Sequence, residues 1–461
     1  MRWLPIVLLA ACATKAPPYE RPETASVLGD AYAGAVEMEP PAGRARWWTR
    51  FGDPVTDALV RKALRNNLDL KVAAANLREA DALIRAAHGT QRPAVDLNNS
   101  AGRGVANTAA GRSYATTVDN SVSVSWNADV FGKLRATENA RIAERFGTAA
   151  DRDALVHTLI ASVVQQRVAI SVAQRRLALA ESIVSSRGQT LDIVDRRYRS
   201  GVGGISAVDV RLARENLATA RADLPARRLD IERAQLALDV LLGRKPGGRP
   251  VAPVAMPAVP PLDPPPTGVP AALLDQRPDL QGSEFRILAR THDVEAAVAA
   301  LYPGLTLRGT LGFRTEDVSK FLSLDRFIAD LVGQITTRLF SGGQLEAEID
   351  AARARVDAQA ARYKAIVLNA VREVEDALVR ERYLREQIGE TAARVEHARA
   401  AETLARDRYG RGLENLLVVL ETERRRRLAE ELLLVLQGAL WTARIDLHLA
   451  LGGDWFSEES A

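Results

Sequence analysis

The stretch Val118-Asp119-Asn120-Ser121-Val122-Ser123-Val124-Ser125-Trp126-Asn127-Ala128-Asp129-Val130 decides how this chain is read. Val118, Asn120, Val122, Val124, Trp126, Ala128 and Val130 alternate with Asp119, Ser121, Ser123, Ser125, Asn127 and Asp129. A period of two puts successive side chains on opposite faces of a strand, so one face here is largely apolar and the other polar. The period then changes. From Gly132 to Arg199 there is no proline, and Ile142, Ala149, Val156, Val163, Ile170, Leu177, Val184, Leu191 and Tyr198 fall at intervals of seven. A seven-residue period held this long specifies supercoiled helices packed as in a coiled coil. At 1.5 Å per residue such a helix is roughly 100 Å long.

The same two periods return further on. Leu305, Leu307, Gly309, Leu311 and Phe313 alternate with Thr306, Arg308, Thr310, Gly312 and Arg314, and weaker alternation marks 93–102 and 329–339. Ile349, Val356, Tyr363, Ala370, Ala377 and Leu384 form one heptad stripe, and Ala360, Val367, Val374, Ile388 and Val395 lie on a second. The chain is written twice. Asn67-Leu68-Asp69-Leu70 matches Arg277-Pro278-Asp279-Leu280, and Pro93 to Leu97 matches Pro303 to Leu307, both at an offset of 210. Arg197-Tyr198 with Gly201 matches Arg408-Tyr409 with Gly412 at 211, and Leu242-Gly243 matches Leu451-Gly452. A constant offset over most of the chain signals two similar halves. Each reads helix, two strands, long helix, turn, return helix. The first helix is expected from Pro54 to His88, and the return helices from Ser206 to Leu242 and from Leu416 to Leu451. Between the halves, Pro246 to Pro270 holds ten of the 21 prolines and is expected to run extended.

Composition excludes several classes. Of 461 residues, 47% are hydrophobic and 26% charged, as in ordinary folded proteins, and only 5% are aromatic. A single cysteine excludes a disulfide framework, a four-cysteine zinc site and an Fe–S cluster. No uninterrupted apolar run reaches 18 residues, which argues against a polytopic helical membrane protein. The charge of +4, from 62 basic and 58 acidic residues, is too balanced to imply nucleic acid. The five histidines, at 88, 157, 292, 397 and 448, have no metal-ligand spacing, and no HExxH, Walker A or nucleophile-elbow motif occurs. Glu373 and Asp376 read as solvent-facing charge, and Arg424 to Arg427 as ion pairing along a helix. No catalytic, metal or cofactor residue is assigned.

The N-terminus reads as an export signal. Met1-Arg2-Trp3 and the short apolar run from Leu4 to Ala11 precede Leu9-Ala10-Ala11-Cys12, which resembles the bacterial lipobox. That resemblance implies a signal over 1–11, covalent lipid on Cys12 and, with Ala13 rather than Asp after it, sorting to the outer membrane. Several acyl chains make a stable anchor. Alternating strands of about ten residues suit a bilayer, one face to lipid and one to water. Four strands per chain cannot close, and an open edge in hydrocarbon leaves backbone groups unsatisfied. Eight strands would fill their own interior, so a pore asks for three chains and twelve strands.

With these residues in view, the chain from Cys12 onward resembles the TolC family of outer-membrane efflux proteins, in the lipid-anchored branch that serves RND-type multidrug pumps. Trp47-Trp48-Thr49-Arg50-Phe51-Gly52-Asp53-Pro54 resembles the opening signature of that branch. Asp129-Val130-Phe131-Gly132-Lys133-Leu134 and Leu339-Phe340-Ser341-Gly342-Gly343-Gln344-Leu345 resemble its strand-to-helix junctions. The resemblance implies a mainly α fold with a membrane β part. Duplicated halves would give four strands per chain to a trimeric 12-stranded barrel, and the long helices would form a periplasmic α-barrel. Residues 12–52 would be a lipidated extension, 53–245 and 271–461 the two repeats, and 246–270 their linker. The implied function is an exit duct in the cell outer membrane, passing small amphiphilic or toxic compounds from an inner-membrane RND-type pump and a periplasmic adaptor. A duct for secreted polypeptides or metal ions stays open, as does a structural coiled-coil envelope lipoprotein. The helix turns at Tyr198, Gly201 and Gly412 would meet the adaptor. Tyr409, Glu414 and Glu421 would lie on the inner, gating helix pair, and Asp209 on the outer pair, tying the two together. A ring of such carboxylates would favour cations. Val418 stands where some members carry an aspartate of that ring.

Overall fold

Asp53 starts the first helix as a cap, its carboxylate accepting the amides of Val55 at 3.1 Å and Thr56 at 3.3 Å with Pro54 in the first turn. The computed structural model describes residue 21 and residues 46–108, 111–201, 205–250, 273–316 and 323–452. Cys12, the expected signal over 1–11 and most of the proline-rich segment 246–270 lie outside the described residues. Helix α1 (Pro54–Asn66) ends sooner than the pattern from Pro54 to His88 predicts, and α2 (Leu68–Gly89) follows after one residue. Asn67 makes the break. Its ψ of 136° leaves the helical region, its Oδ1 accepts the amides of Asp69 at 2.9 Å and Leu70 at 3.1 Å, and its Nδ2 donates to the Leu241 carbonyl at 3.0 Å. An asparagine able to cap the next helix outcompetes the helical pattern running through it.

The chain continues through β1 (Ala94–Thr108), β2 (Gly111–Ala128), α3 (Lys133–Arg199), α4 (Ala207–Leu241), the short α5 (Leu273–Gln276) and α6 (Pro278–Ala299). It ends with β3 (Gly304–Thr315), β4 (Phe327–Thr336), α7 (Gln344–Gly410) and α8 (Leu416–Ala450). The duplication shows in the lengths: α2 and α6 have 22 residues each, α3 and α7 have 67, and α4 and α8 have 35. It shows again in the packing of each half's end. A Cβ on Gly243 (φ +63°) would lie 2.2 Å from the Asn66 carbonyl oxygen, and one on Gly452 (φ +90°) would lie 2.7 Å from that of Gln276. Arg277 Nη1 donates to the Ala450 carbonyl at 3.1 Å, as Asn67 does to Leu241.

The chain divides into two compact units. One holds Ala75–Ala150 and Gln281–Lys364, and its centre is the sheet, antiparallel throughout in the order β1-β2-β3-β4. Register places Val122 between Leu97 and Leu311, Val124 between Val95 and Gly309, and Leu311 opposite Ala329. That face is apolar and open to solvent: Leu97, Leu331 and Ile335 are 71%, 82% and 72% exposed. The opposite face is polar, with Asn98 Nδ2 donating to Ser123 Oγ at 2.9 Å and Arg314 paired to Asp119 at 2.7 Å. β1 and β2 run for 15 and 18 residues rather than about ten, the backbone pairing continuing from Gly102 opposite Thr117 to Thr108 opposite Gly111 after the alternation fades. Asp129 then caps α3, accepting the amides of Leu134 at 3.0 Å and Arg135 at 2.8 Å, while Gly132 (φ +78°) turns the chain. Helices α3 and α6 touch through small residues, a Cβ on Gly147 lying 3.4 Å from the Gly282 carbonyl oxygen.

The second unit holds the described residues within 46–74, 151–280 and 365–452. Its core gathers Trp47, Trp48, Phe51 and Val60 with Val163, Val164 and Ile170 of α3, Leu238 of α4, and Trp441 and Ile445 of α8. The Trp47 ring stacks on His448 at 5.0 Å, Phe51 meets Trp441 edge-on at 4.9 Å, and Asp53 pairs with the buried Arg167 at 3.2 Å. The tryptophan-rich signature is thus a packing key. Both α3 and α8 contain an 18-residue stretch apolar enough to cross a membrane, but 61% and 50% of those stretches are buried within the protein.

The heptads differ from expectation on α3. Val156, Val163 and Ile170 are buried, yet Ile142, Ala149, Leu177, Val184 and Leu191 are only half-buried, and Tyr198 is exposed. The buried seam runs instead on Ala140, Ala143, Gly147 and Ala150, and later on Ala180, Ile183, Arg187, Thr190 and Val194. Small residues let helices approach closely, so bulky apolar periodicity alone does not mark the innermost face. On α7 the predicted stripes are buried at Ile349, Tyr363, Ala370 and Ala377 and at Val367, Val374, Ile388 and Val395. The second continues through Glu381, Glu402 and Tyr409, which are also buried.

Candidate functional site

Two turns at the ends of the long helices, both in the second unit, hold the sequence-predicted site residues. In the first, Gly201 (φ +67°) ends α3 and Ser206 caps α4. Asp209 answers Ser206 in a capping box: its Oδ2 accepts the Ser206 amide at 2.7 Å and hydroxyl at 2.8 Å, and its own amide donates to Ser206 Oγ at 3.3 Å. In the second, Gly412 (φ +78°) follows α7, and Asn415 Oδ1 accepts the Val418 amide at 3.1 Å to cap α8. The sequence places these signals at matching positions in both halves.

The turns share a small core of Val194, Val210, Ala213, Ala405, Tyr409, Leu416 and Val419. Arg197 joins them. Its guanidinium lies over the Tyr409 ring, 5.0 Å from the centroid, and its Nη1 donates to the Tyr409 carbonyl. A Cβ on Gly412 would lie 3.3 Å from Arg197 Nη2, so the second turn closes against the same side chain. Burial pushes the Tyr409 hydroxyl above its ordinary value, and the nearby Asp209 charge adds to that. Tyr409, Gly412 and Asp209 are thereby brought together, with the direct tie made by Arg197. Tyr198 is 45% exposed.

Glu414 and Glu421 stand apart from this cluster. The Glu414 carboxylate is 3.7 Å from Arg408 Nε, and Glu421 accepts from Arg424 at 2.8 and 2.9 Å and from Arg425 at 2.7 Å. Those hydrogen bonds, Arg424 first and then Arg425, lower the Glu421 carboxyl to about 2. The carboxylate is ionised throughout the physiological range, and its charge is met on its own helix.

Next to the turns lies a buried ladder of ion pairs that periodicity passes over. Arg406 reaches Glu423 at 2.8 Å and Glu402 at 3.0 Å, and Thr190 Oγ1 donates to Glu423 at 2.8 Å. Arg426 pairs with Glu402 and, at 2.7 Å, with Glu430, which also accepts from Arg399 at 2.6 Å. Further along, Glu431 takes both Arg176 and Arg227 at 2.7 Å. The signal was present: counting on by seven from Val367 and Val374 lands on Glu381 and Glu402. Arg197 left only its match to Arg408 in the other half. Among the described residues no group of three or more His, Cys, Asp or Glu side chains is placed to hold a metal ion.

The chain matches the sequence model of a family described as outer membrane efflux protein, over residues 59–244 and 269–453. The toluene efflux pump outer membrane protein TtgF of Pseudomonas putida is 30% identical, covering 97% of this chain and 95% of its own. The cation efflux system protein CusC of Escherichia coli is 27% identical, covering 95% of each. Among solved structures, the outer-membrane channel OprN superposes with a TM-score of 0.86 at 29% identity, over 95% of this chain and 98% of its own.

Proposed function

We propose, from the premise that this chain belongs to the outer membrane efflux protein family, that three copies pool their strands into one twelve-stranded barrel. The protein is an outer-membrane efflux channel extending into the periplasm. The sheet supports the pooled barrel: one face apolar and open to solvent, the other polar, with β1 and β4 at the ends of the strand order. In hydrocarbon each unpaired backbone group costs several kcal/mol, so β1 and β4 require partners from other copies. A purely structural coiled-coil lipoprotein has no use for such a sheet.

On this reading the polar sheet face and the long helices line the duct. It conducts passively, taking small amphiphilic or toxic compounds from a periplasmic adaptor and an inner-membrane RND-type pump, and no residue has a catalytic role. The relative named for toluene efflux supports that solute class. Residues 53–245 and 271–461 are the repeats, and Cys12 carries lipid at the start of the 12–52 extension. The turns at Tyr198, Gly201 and Gly412 meet the adaptor, while Tyr409, Glu414 and Glu421 lie on the helix pair lining the constriction. Purified protein should migrate as a heat-sensitive trimer and conduct in planar bilayers. A monomeric, non-conducting product would overturn the assembly.

A further inference from the structure

The charge at the two turns does not balance in favour of carboxylates. From Glu402 to Glu431 seven arginines face seven carboxylates, and from Asp192 to Asn216 five face four, with no lysine or histidine in either stretch. Most of these carboxylates are engaged at close range. Asp407 pairs with Arg411 at 3.0 Å, Glu414 lies 3.7 Å from Arg408, and Asp195 takes Arg199 at 2.6 Å and Arg214 at 3.5 Å. Glu402 and Glu423 are buried against Arg406 and Arg426, and Asp209 is held in the capping box of α4. What α8 shows to solvent here is Glu421 clasped by two guanidiniums, Arg424 and Arg425, which are 53% and 69% exposed. Val418, one turn back, is uncharged.

We infer that the constriction of this channel is a filter for anions, set by Arg424 and Arg425 rather than by a carboxylate ring. The inference rests on the reading that α7 and α8 line the constriction. Glu421 together with its two arginines carries one net positive charge per chain, and rotational symmetry repeats that charge around the axis. Rings of arginine select anions as rings of carboxylate select cations. The planar guanidinium fork matches carboxylate and phosphate groups, so the favoured solutes are amphiphiles bearing such groups. Multivalent anions should compete for the same ring, and multivalent cations should not.

The test uses the purified full-length protein in planar bilayers under a potassium chloride gradient. The expected reversal potential reports chloride as more permeant than potassium. Hexacyanoferrate(II) should block from the side of the helical turns, and hexaamminecobalt(III) should not. Arg424→Glu with Arg425→Glu should reverse the sign of the reversal potential and introduce cobalt block, while Arg424→Lys with Arg425→Lys should keep anion preference. Trimer migration of each variant establishes that it assembles. A cation-selective parent channel whose selectivity still responds to these substitutions overturns the filter and leaves the helix placement standing. An anion-selective channel indifferent to them overturns the placement and the inference with it.

Discussion

Arg444 of α8 donates its Nε to Glu381 of α7 across 2.9 Å, with both side chains closed off from solvent at a seam position where the heptad asks for an apolar residue. Arg385, one turn along α7, adds a second guanidinium to the same carboxylate at 2.8 Å. The pair fixes which turn of α7 meets which turn of α8, because a one-turn slip would strand a buried charge.

Removing one partner is therefore expected to cost far more than removing both. Glu381→Ala should destabilise the protein by about 3–5 kcal/mol, whereas Glu381→Leu with Arg444→Met should come out near neutral. Burial works to raise the Glu381 carboxyl, but the bonds and charges of Arg444 and Arg385 outweigh it and hold the group below its ordinary 4.5. Its contribution is thus complete above the unfolded value and lost as pH falls through the lower folded one. Denaturant midpoints measured from pH 7 downward should show the parent losing stability below about pH 5 and the double variant losing less.

Gly243 and Gly452 supply a second test, since each combines a positive φ with a carbonyl in the space of a side chain. Gly201 has the same kind of φ (+67°) and open space around it. Gly201→Ala should cost only the left-handed penalty of about 1–2 kcal/mol. Gly243→Ala and Gly452→Ala should each cost more, because the Asn66 or Gln276 carbonyl must also move. Equal losses at all three positions, read by thermal unfolding, would contradict the close approach.

These positions mark what was legible in the sequence. The duplication, the change of period from two to seven and the turn glycines follow from backbone geometry, which leaves a local signature in residue type. The break at Asn67 was hidden, because a cap inside an apolar pattern announces itself only through where its amide group reaches, here Leu241. The α3 seam was hidden as well: Ala143, Gly147 and Ala150 bury as fully as valine does but give little hydrophobic signal. Helical spacing finds Arg406 four residues from Glu402 and Arg427 four before Glu431. The partners that join one helix to another, Arg426 at Glu402, Arg406 at Glu423, and Arg176 and Arg227 at Glu431, follow no spacing rule.

The sheet gives the third prediction. Leu331 lies on the apolar face opposite Gly309, and Gln334 on the polar face opposite Thr306. An arginine facing lipid near mid-bilayer costs about 2–4 kcal/mol. Leu331→Arg should therefore lower the yield of heat-sensitive trimer inserted into lipid vesicles, and Gln334→Arg should insert like the parent. The reverse ranking would exchange the two faces.

Arg197 carries the last prediction, because it contacts both the ring and the carbonyl of Tyr409 while filling the space beside Gly412. Losing a cation–π contact and a charged hydrogen bond together costs about 2 kcal/mol. With Arg197→Ala, amide exchange across Tyr409 to Leu413 should speed up roughly thirtyfold. Arg197→Lys keeps a cation over the ring but lacks the fork that also reaches the carbonyl, so its exchange should fall between the two. If the turn at Gly412 is held shut through this side chain, the Arg197→Ala channel should also show higher resting conductance in bilayers than the parent. Faster exchange without a rise in conductance would leave Arg197 as a clasp between the two turns and remove it from the gate.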